Sequence, residues 1–237
     1  MDPYYLNITD VEMLHKVFLG YRSHDGMGWL FRGQADASWP LLPKAGRSNF
    51  YLPENRDLGR LWAWARQAIA YSDLPGDCME QLAIAQHHGL ATRLLDWTMN
   101  PLVACFFACA EHPDKDGAVY LYETPEKILK DETTIDDLKR HVGLFGYMPR
   151  SISPRLMNQR GIFTVHCDAK YPIEAKESRF NNGKPNLLVL KIPSKLKEEI
   201  SKHLEDYGID MAHIFPDLDG LSAHTNTKTL RMRRPTV

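Results

Sequence analysis

A helix that is apolar all round is the feature of this sequence that most constrains its fold. Asn100 and Pro101 form an N-cap and first-turn signal, and Pro113 stops the helix. Every residue at positions 102–110 is apolar. A helix of this kind is buried on all sides, and a stretch of roughly ten residues is too short to cross a bilayer. We therefore expect this helix at the centre of a packed domain.

The segments on either side of this helix predict further helices and strands. Helical periodicity and capping signals predict helices over 9–21, 56–71, 77–89, 134–142 and 194–206, with one or two short helices within 209–227. Short apolar runs predict extended segments at 29–32, 91–98, 118–122, 161–166 and 187–192. This order predicts an α+β fold in a single domain over residues 1–237, with a small mixed or antiparallel sheet and packed helices.

The bulk composition is that of an ordinary globular protein. Apolar residues make up 43% of the 237 residues and charged residues 25%, and the net charge is -1. A chain so nearly neutral has no global basic field, so contact with nucleic acid would need a local basic patch. The most basic stretch contains Arg231, Arg233 and Arg234.

Cysteine usage and the N-terminal residues favour a cytoplasmic protein with no membrane segment. The four cysteines match neither a disulfide framework nor paired zinc knuckles. Cys105, Cys109 and His112 have a spacing that could hold zinc, but their apolar surroundings predict core packing, so we expect no metal. The first residues lack the basic and apolar regions of a signal peptide, and no run of 18 apolar residues occurs.

Three short segments combine polar, charged and aromatic residues more densely than the fold alone would require. They read FRGQ at 31–34, QHHGLATRLLDWT at 86–98 and NQRGIF at 158–163. An arginine at the end of a strand, followed by a glycine that admits a ligand to the backbone, suits a phosphate or a vicinal diol. Arg32 and Gly33 fit that description. The alternative is that Arg32 pairs with a buried carboxylate such as Asp96.

The second segment offers several functional groups just before a predicted helix N-terminus, where an anion is favoured. Thr92, Arg93, Asp96 and Trp97 supply a hydroxyl, a donor fork, an acceptor and a flat ring. The alternative is an internal ion pair between Arg93 and Asp96 that fixes the turn.

The two adjacent histidines of this segment allow two interpretations. His87 and His88 close a predicted helix, where histidine caps the last carbonyl groups in many proteins. Capping is therefore one interpretation and ligand contact the other.

These three segments resemble the signature segments of the FRG domain family, which is named for its Phe-Arg-Gly motif. The sequence PDLDGLSAH at 216–224 resembles the closing segment of the same family. Four segments in the expected order extend the resemblance over residues 28–224.

The resemblance implies an arrangement like that of ADP-ribosyltransferases, with NAD as the substrate and no metal. In that arrangement Arg32, the 92–100 segment and the 159–163 segment occupy three successive places around NAD. The implied NAD-binding residues are Arg32, Gly33, Gln34, His88, Thr92, Arg93, Trp97 and Asn100. The implied catalytic residues are Arg32, Asp96, Gln159 and Glu80.

The implied function is that of an effector or toxin in conflict between bacteria and phages, which modifies a protein or a nucleic acid and is held in check by an antitoxin or inhibitor. The chain departs from the transferase pattern at Gln159, where a glutamate is expected. A carboxylate near the ribose supports the charge that builds up when the bond to nicotinamide breaks. Either Asp96 or Glu80 supplies it, or the domain is a non-catalytic module that binds a nucleotide or nucleic acid.

Overall fold

A computed structural model of the chain describes residues 1–21, 28–150, 158–179 and 182–232. These residues form seven strands, namely β1 (Tyr4–Asn7), β2 (Trp29–Gln34), β3 (Leu94–Thr98), β4 (Gly117–Glu123), β5 (Leu144–Tyr147), β6 (Gly161–His166) and β7 (Leu187–Ile192). They also form eight α-helices, namely α1 (Val11–Gly20), α2 (Arg56–Ala68), α3 (Cys78–His87), α4 (Pro101–Cys109), α5 (Ile135–Arg140), α6 (Lys197–Asp206), α7 (Met211–Ile214) and α8 (Leu218–Met232). Arg233 and Arg234 of the basic stretch lie outside the described residues.

The strands form one mixed sheet in the order β1-β7-β4-β2-β3-β6-β5. Strand β1 pairs with β7 in parallel, and all other neighbours are antiparallel. The prediction of an α+β fold with a mixed sheet is confirmed, although the sheet is larger than expected. Both edge strands were missed in the sequence, because β1 and β5 have only four residues each.

One face of the sheet carries the helices, in two separate groups. Helices α1, α4, α6 and α7 pack on the half formed by β1, β7, β4 and β2, and α2, α3 and α5 pack on the half formed by β3, β6 and β5. The other face is covered by the connections that carry Leu41, Ile173 and Ala175. The boundary between the two helix groups coincides with the boundary between β2 and β3.

Helix α4 lies at the centre of the first half, as its apolar sequence predicts. Val103, Ala104, Cys105 and Ala108 are fully buried in it. Asn100 caps its N-terminus by accepting a hydrogen bond from the backbone N–H of Leu102 at 3.0 Å. In the described part of the chain, no helix combines the length and the apolar character needed to cross a membrane.

The crossing of α4 over β2 explains the glycine at position 33. A Cβ atom on Gly33 would lie 1.9 Å from the carbonyl oxygen of Ala104 and 2.7 Å from the nitrogen of Ala108. The close approach of α4 by itself therefore requires glycine at this position. Strand β2 continues to Gln34, so the prediction that Arg32 ends the strand was wrong.

Most helix ends follow the capping signals of the sequence, with one correction. Asp77 caps α3 by accepting from the backbone N–H of Glu80, and Gly89, with φ of +86°, ends that helix as predicted. Helix α1 begins one residue later than expected, because Asp10 and not Thr9 accepts the capping hydrogen bond.

Helix α2 packs on the fold through a narrow apolar face. Leu58 and Leu61 are buried, but Trp62 is 57% exposed, and Ile69, which follows the helix, is 67% exposed. These two large apolar side chains therefore face solvent.

A buried lysine ties α6 to the centre of the fold. The Lys197 ammonium donates to the backbone carbonyls of Ala35, Glu111 and His112 at 2.6, 3.0 and 2.9 Å. Two of these carbonyls follow the C-terminal end of α4, where a cation is favoured by the helix dipole. This contact fixes the first residues after β2 against α4.

The close contact at Gly33 predicts that Gly33→Ala destabilises the fold. The added Cβ atom would force β2 and α4 apart, and overpacking of this kind costs about 1–3 kcal/mol or more. Gly59 is the matched control. It lies inside α2, and a Cβ atom at this position would have no neighbour within 4 Å outside the backbone of its own helix. Gly59→Ala should stabilise the protein by up to about 1 kcal/mol. Urea unfolding of both variants measures the difference, and equal stabilities would contradict the assignment.

Candidate functional site

The sheet opens between its fourth and fifth strands from the β1 edge, where β2 meets β3. These two strands share a single residue pair, Phe31 with Thr98, whereas every other neighbouring pair shares four to six. Since the helices also divide at this boundary, the opening is flanked by α4 on one side and by α3 on the other.

A pocket of about 280 Å³ lies in this opening, and we call it the Arg32 pocket. Its polar lining residues are Arg32, Gln86, His87, Asp96, Thr98 and Gln159. Its apolar walls come from Phe31, Ala83, Val103, Phe107 and Phe163, with Gly33 and Trp97 completing the lining. The pocket thus brings together residues from all three segments that the sequence singled out.

Arg32 bridges the opening between the two strands. Its Nη1 donates a hydrogen bond to the backbone carbonyl of Asp96 at 2.8 Å and lies 3.6 Å from the Asp96 carboxylate oxygen Oδ2. The Arg32 side chain is 16% exposed. Burial lowers the pKa of its guanidinium from the ordinary value, and the Asp96 carboxylate acts in the opposite direction. The predicted contact between Arg32 and Asp96 is present, but Asp96 is exposed and not buried.

Asp96 presents its carboxylate to solvent at the pocket and is held by a chain of hydrogen bonds. Its side chain is 56% exposed. The Gln86 Nε2 donates to Asp96 Oδ2 at 2.9 Å, and the Thr92 hydroxyl donates to Gln86 Oε1 at 2.5 Å. Thr92 therefore acts on the pocket through Gln86 and does not line it. Gln86 orients the carboxylate, a role that the sequence reasoning did not assign to it.

Gln159 lies on the pocket wall, at the place expected for the third segment. Its backbone carbonyl accepts a hydrogen bond from the Thr98 hydroxyl at 2.5 Å, and its Nε2 donates to the carbonyl of Ile214 at 3.3 Å. The neighbouring Asn158 donates to the carbonyl of His213 at 2.8 Å. These bonds fasten α7 to the pocket wall.

Arg93 is a structural residue and does not reach the pocket. Its guanidinium is 1% exposed and forms a two-pronged pair with Asp57, with Nε–Oδ2 and Nη2–Oδ1 distances of 2.8 and 2.7 Å. It also donates to Asn55 Oδ1 and to the carbonyl of Cys167. The predicted pair of Arg93 with Asp96 is therefore wrong, because the partner comes from α2.

Glu80 is also held within the fold, away from the Arg32 pocket. It is 2% exposed, and its carboxylate accepts from the Tyr147 hydroxyl at 2.7 Å and from the backbone N–H of Arg150 at 2.8 Å. Burial, followed by the contact with Glu80, raises the pKa of the Tyr147 hydroxyl. Of the two carboxylates that the sequence offered for catalysis, Asp96 is the one that lines the pocket.

Three further residues that the resemblance places around NAD have other positions or partners. Trp97 is 3% exposed, with its indole N–H donating to the Thr164 hydroxyl at 2.9 Å and its ring stacked on Tyr122. Asn100 caps α4. His88 lies in a second groove, and its neighbour His87 lines both that groove and the Arg32 pocket.

Buried polar atoms without a partner cluster beside the pocket. In the described residues, the buried side-chain nitrogens and oxygens that lack a hydrogen-bond partner are Arg32 Nε, both amide atoms of Gln34, and His166 Nε2. Side chains alternate along a strand, so Arg32 and Gln34 share one face of β2. Burial lowers the pKa of His166 to about 4, and the charge of Arg32 acts in the same direction. A buried imidazole and an unpaired amide thus lie in the same part of the fold as Arg32.

The comparisons with known proteins support one of the sequence assignments directly. Residues 27–117 match the family model of the FRG domain. This part of the chain is therefore similar to the FRG domain. The match includes Arg32, Gln86 and Asp96 of the pocket, whereas Gln159 and the 216–224 segment lie beyond it. No curated protein matches the chain, and no solved structure matches it.

Gln34 and Gln86 are two glutamines near the pocket, and we expect their substitution by methionine to have opposite effects on stability. Gln34→Met should leave the free energy of unfolding unchanged or raise it, because an unpaired buried amide costs about 1–3 kcal/mol. Gln86→Met should lower it by about 1–3 kcal/mol, since its amide bonds Asp96 and Thr92. Thermal unfolding tests both, and a Gln34→Met variant as unstable as Gln86→Met would contradict the contrast.

The buried pair of Arg93 and Asp57 predicts a large structural effect. Arg93→Met leaves the Asp57 carboxylate buried without its cation, which costs about 3–5 kcal/mol. Arg66→Met is the matched control, because Arg66 is exposed on α2 and forms no ion pair with the described residues. Its effect should stay within about 0.5 kcal/mol in urea unfolding. Similar losses in the two variants would contradict the role given to Arg93.

Proposed function

We propose that this protein is an ADP-ribosyltransferase-like enzyme that cleaves the bond between nicotinamide and ribose in NAD. The observation that carries the proposal is the exposed Asp96 carboxylate, oriented by Gln86 and placed beside the Arg32 guanidinium at the rim of a pocket with apolar walls. A carboxylate in such a position supports positive charge that develops on a sugar.

The size of the Arg32 pocket suits one end of the dinucleotide. A volume of about 280 Å³ lies at the lower end of pockets that hold small ligands. The nicotinamide and its ribose would enter between Phe31 and Phe107, and the pyrophosphate would remain outside. Arg47 is close enough to Arg32 to lower the pKa of its guanidinium, so a second cation stands near the rim.

The proposed step needs no oxidant or reductant. The bond between the ribose C1′ and the nicotinamide nitrogen breaks, and its electron pair leaves with neutral nicotinamide. An acceptor oxygen or nitrogen on a macromolecule, or water, then forms the new bond to C1′ and loses a proton to solvent. Asp96 stabilises the charged ribose during this exchange, and Arg32 holds Asp96 and the substrate in place.

The alternative is a module that binds a nucleotide or nucleic acid without cleaving it. It is favoured by Gln159, an amide at the position where the transferase arrangement has a glutamate. Binding of NAD with no release of nicotinamide would support this alternative and contradict the enzyme.

The enzyme proposal predicts that Asp96→Asn slows nicotinamide release by on the order of 100-fold, because the amide carries no charge to stabilise the ribose. Purified protein is incubated with NAD labelled in the nicotinamide ring, and released nicotinamide is measured. Asp206→Asn, an exposed change on α6, is the matched control and should behave as the unaltered protein. Equal release by Asp96→Asn and the unaltered protein would overturn the assignment, as would equal release by Arg32→Ala.

A further inference from the structure

A second and larger groove adjoins the Arg32 pocket on the outer side of α3. It has a volume of about 840 Å³ and lies between α2 and α3 and the residues that follow α2. We call it the α2 groove and define it by Arg60, Trp64, Tyr71, Ile84, His88 and Leu90. His87 lines both cavities, so the groove leads to the rim of the candidate active site.

The surface around the α2 groove is basic, although the chain as a whole carries a net charge of -1. Arg60 lines the groove together with the exposed acid Asp73, and Arg56 lies one turn before Arg60 on the same face of α2. Lys44 lies at Gly89, next to the groove residues His88 and Leu90. Outside the lining, Arg66 is exposed on another face of α2, Arg47 lies near Arg32, and Glu54 is exposed just before α2. None of these five cations forms an ion pair within the described residues. The remaining acid of α2 is Asp57, whose charge is taken up by Arg93 inside the fold.

Local contacts hold two of these cations beside the groove. The Lys44 ammonium donates to the carbonyl of Gly89 at 2.8 Å, beside the end of α3. The Arg60 guanidinium donates to the carbonyls of Phe50 and Ala91 and lines the groove, and its remaining N–H groups are available to a ligand. Arg47 lies near enough to Arg32 to lower the pKa of its guanidinium, so a further cation lies on that side of α3.

Aromatic rings are interleaved with these cations. Tyr71 is 90% exposed and Trp62 is 57% exposed, and Trp64 lines the α2 groove. The Arg66 guanidinium lies 4.9 Å from the centre of a Trp62 ring. Exposed flat rings beside unpaired arginines are the usual surface for single-stranded nucleic acid, because bases stack on the rings and phosphates contact the cations.

We infer that the α2 groove binds a single-stranded nucleic acid and delivers one nucleotide to the rim of the Arg32 pocket. The inference rests on the proposed function in one respect, since it names the class of macromolecule that would accept the ADP-ribose group. The binding itself depends only on the surface of α2 and its surroundings.

The test measures binding of a fluorescent single-stranded oligonucleotide by anisotropy, without NAD, over a series of salt concentrations. The unaltered protein should bind, and its affinity should fall steeply with salt. The double variant Lys44→Gln, Arg56→Gln should bind more weakly, because it removes two cations beside the groove and so neutralises two fewer phosphates. The slope of log K against log salt should then fall by about 1.4, at about 0.7 for each phosphate of a single strand. Tyr71→Ala should weaken binding by about tenfold, because Tyr71 lines the groove and is 90% exposed.

The matched control is Lys16→Gln with Lys195→Gln, which removes the same charge from exposed positions on the other half of the sheet. Its salt slope should equal that of the unaltered protein. Equal salt slopes for the two double variants would overturn the inference. So would a failure to bind RNA or DNA oligonucleotides at the lowest salt concentration. In that case a protein segment would be the alternative occupant of the groove. Nicotinamide release is measured without oligonucleotide, so a failure of the proposed reaction and a failure of this inference are distinguishable.

Discussion

The hydrogen bond from Arg32 to the backbone carbonyl of Asp96 spans the place where the sheet stops being continuous. On one side β2 is paired along its whole length with β4, and on the other β3 is paired along its whole length with β6. Between them the backbone pairing is reduced to Phe31 and Thr98. A side chain therefore takes over where the ladder of main-chain hydrogen bonds ends. The opening that it bridges is also what allows a pocket to form within a single sheet.

The parts of the fold that follow from local chemistry were predictable from the sequence. Helix α4 is defined by Asn100 before Pro101 and by the apolar run that follows. A helix cap and a hydrophobic pattern depend only on residues that are neighbours in the sequence. Gly89 ends α3 because its positive φ favours glycine. The partner of Arg93 was not predictable in this way, because Asp57 is 36 residues distant and lies in another element. Periodicity alone does not show that Trp62 lies in solvent, because this depends on how narrow a face of α2 packs on the fold.

The residues of the three sequence segments have two roles. Some line the pocket, and others stabilise the fold around it. Arg32, Asp96 and Gln159 line it, whereas Arg93 uses its side chain inside the fold. Trp97 also lines the pocket, but its indole N–H donates to Thr164 inside the fold. Spacing along the chain could not separate the two groups, because the direction of each side chain depends on the strand to which it belongs. Rigid support of this kind is what a binding site requires, since a small displacement of a reacting group weakens its effect.

The exposure of Asp96 sets a condition on the proposed reaction. An ion pair open to water contributes little energy, because solvent screens both charges. A ligand seated between Phe31 and Phe107 would exclude that water, and the field of the carboxylate at the ribose would then increase as the local dielectric constant falls. In the proposed reaction the substrate therefore completes the site that acts on it. In that proposed reaction the apolar wall would exclude water, and the exposed carboxylate would act on the ribose.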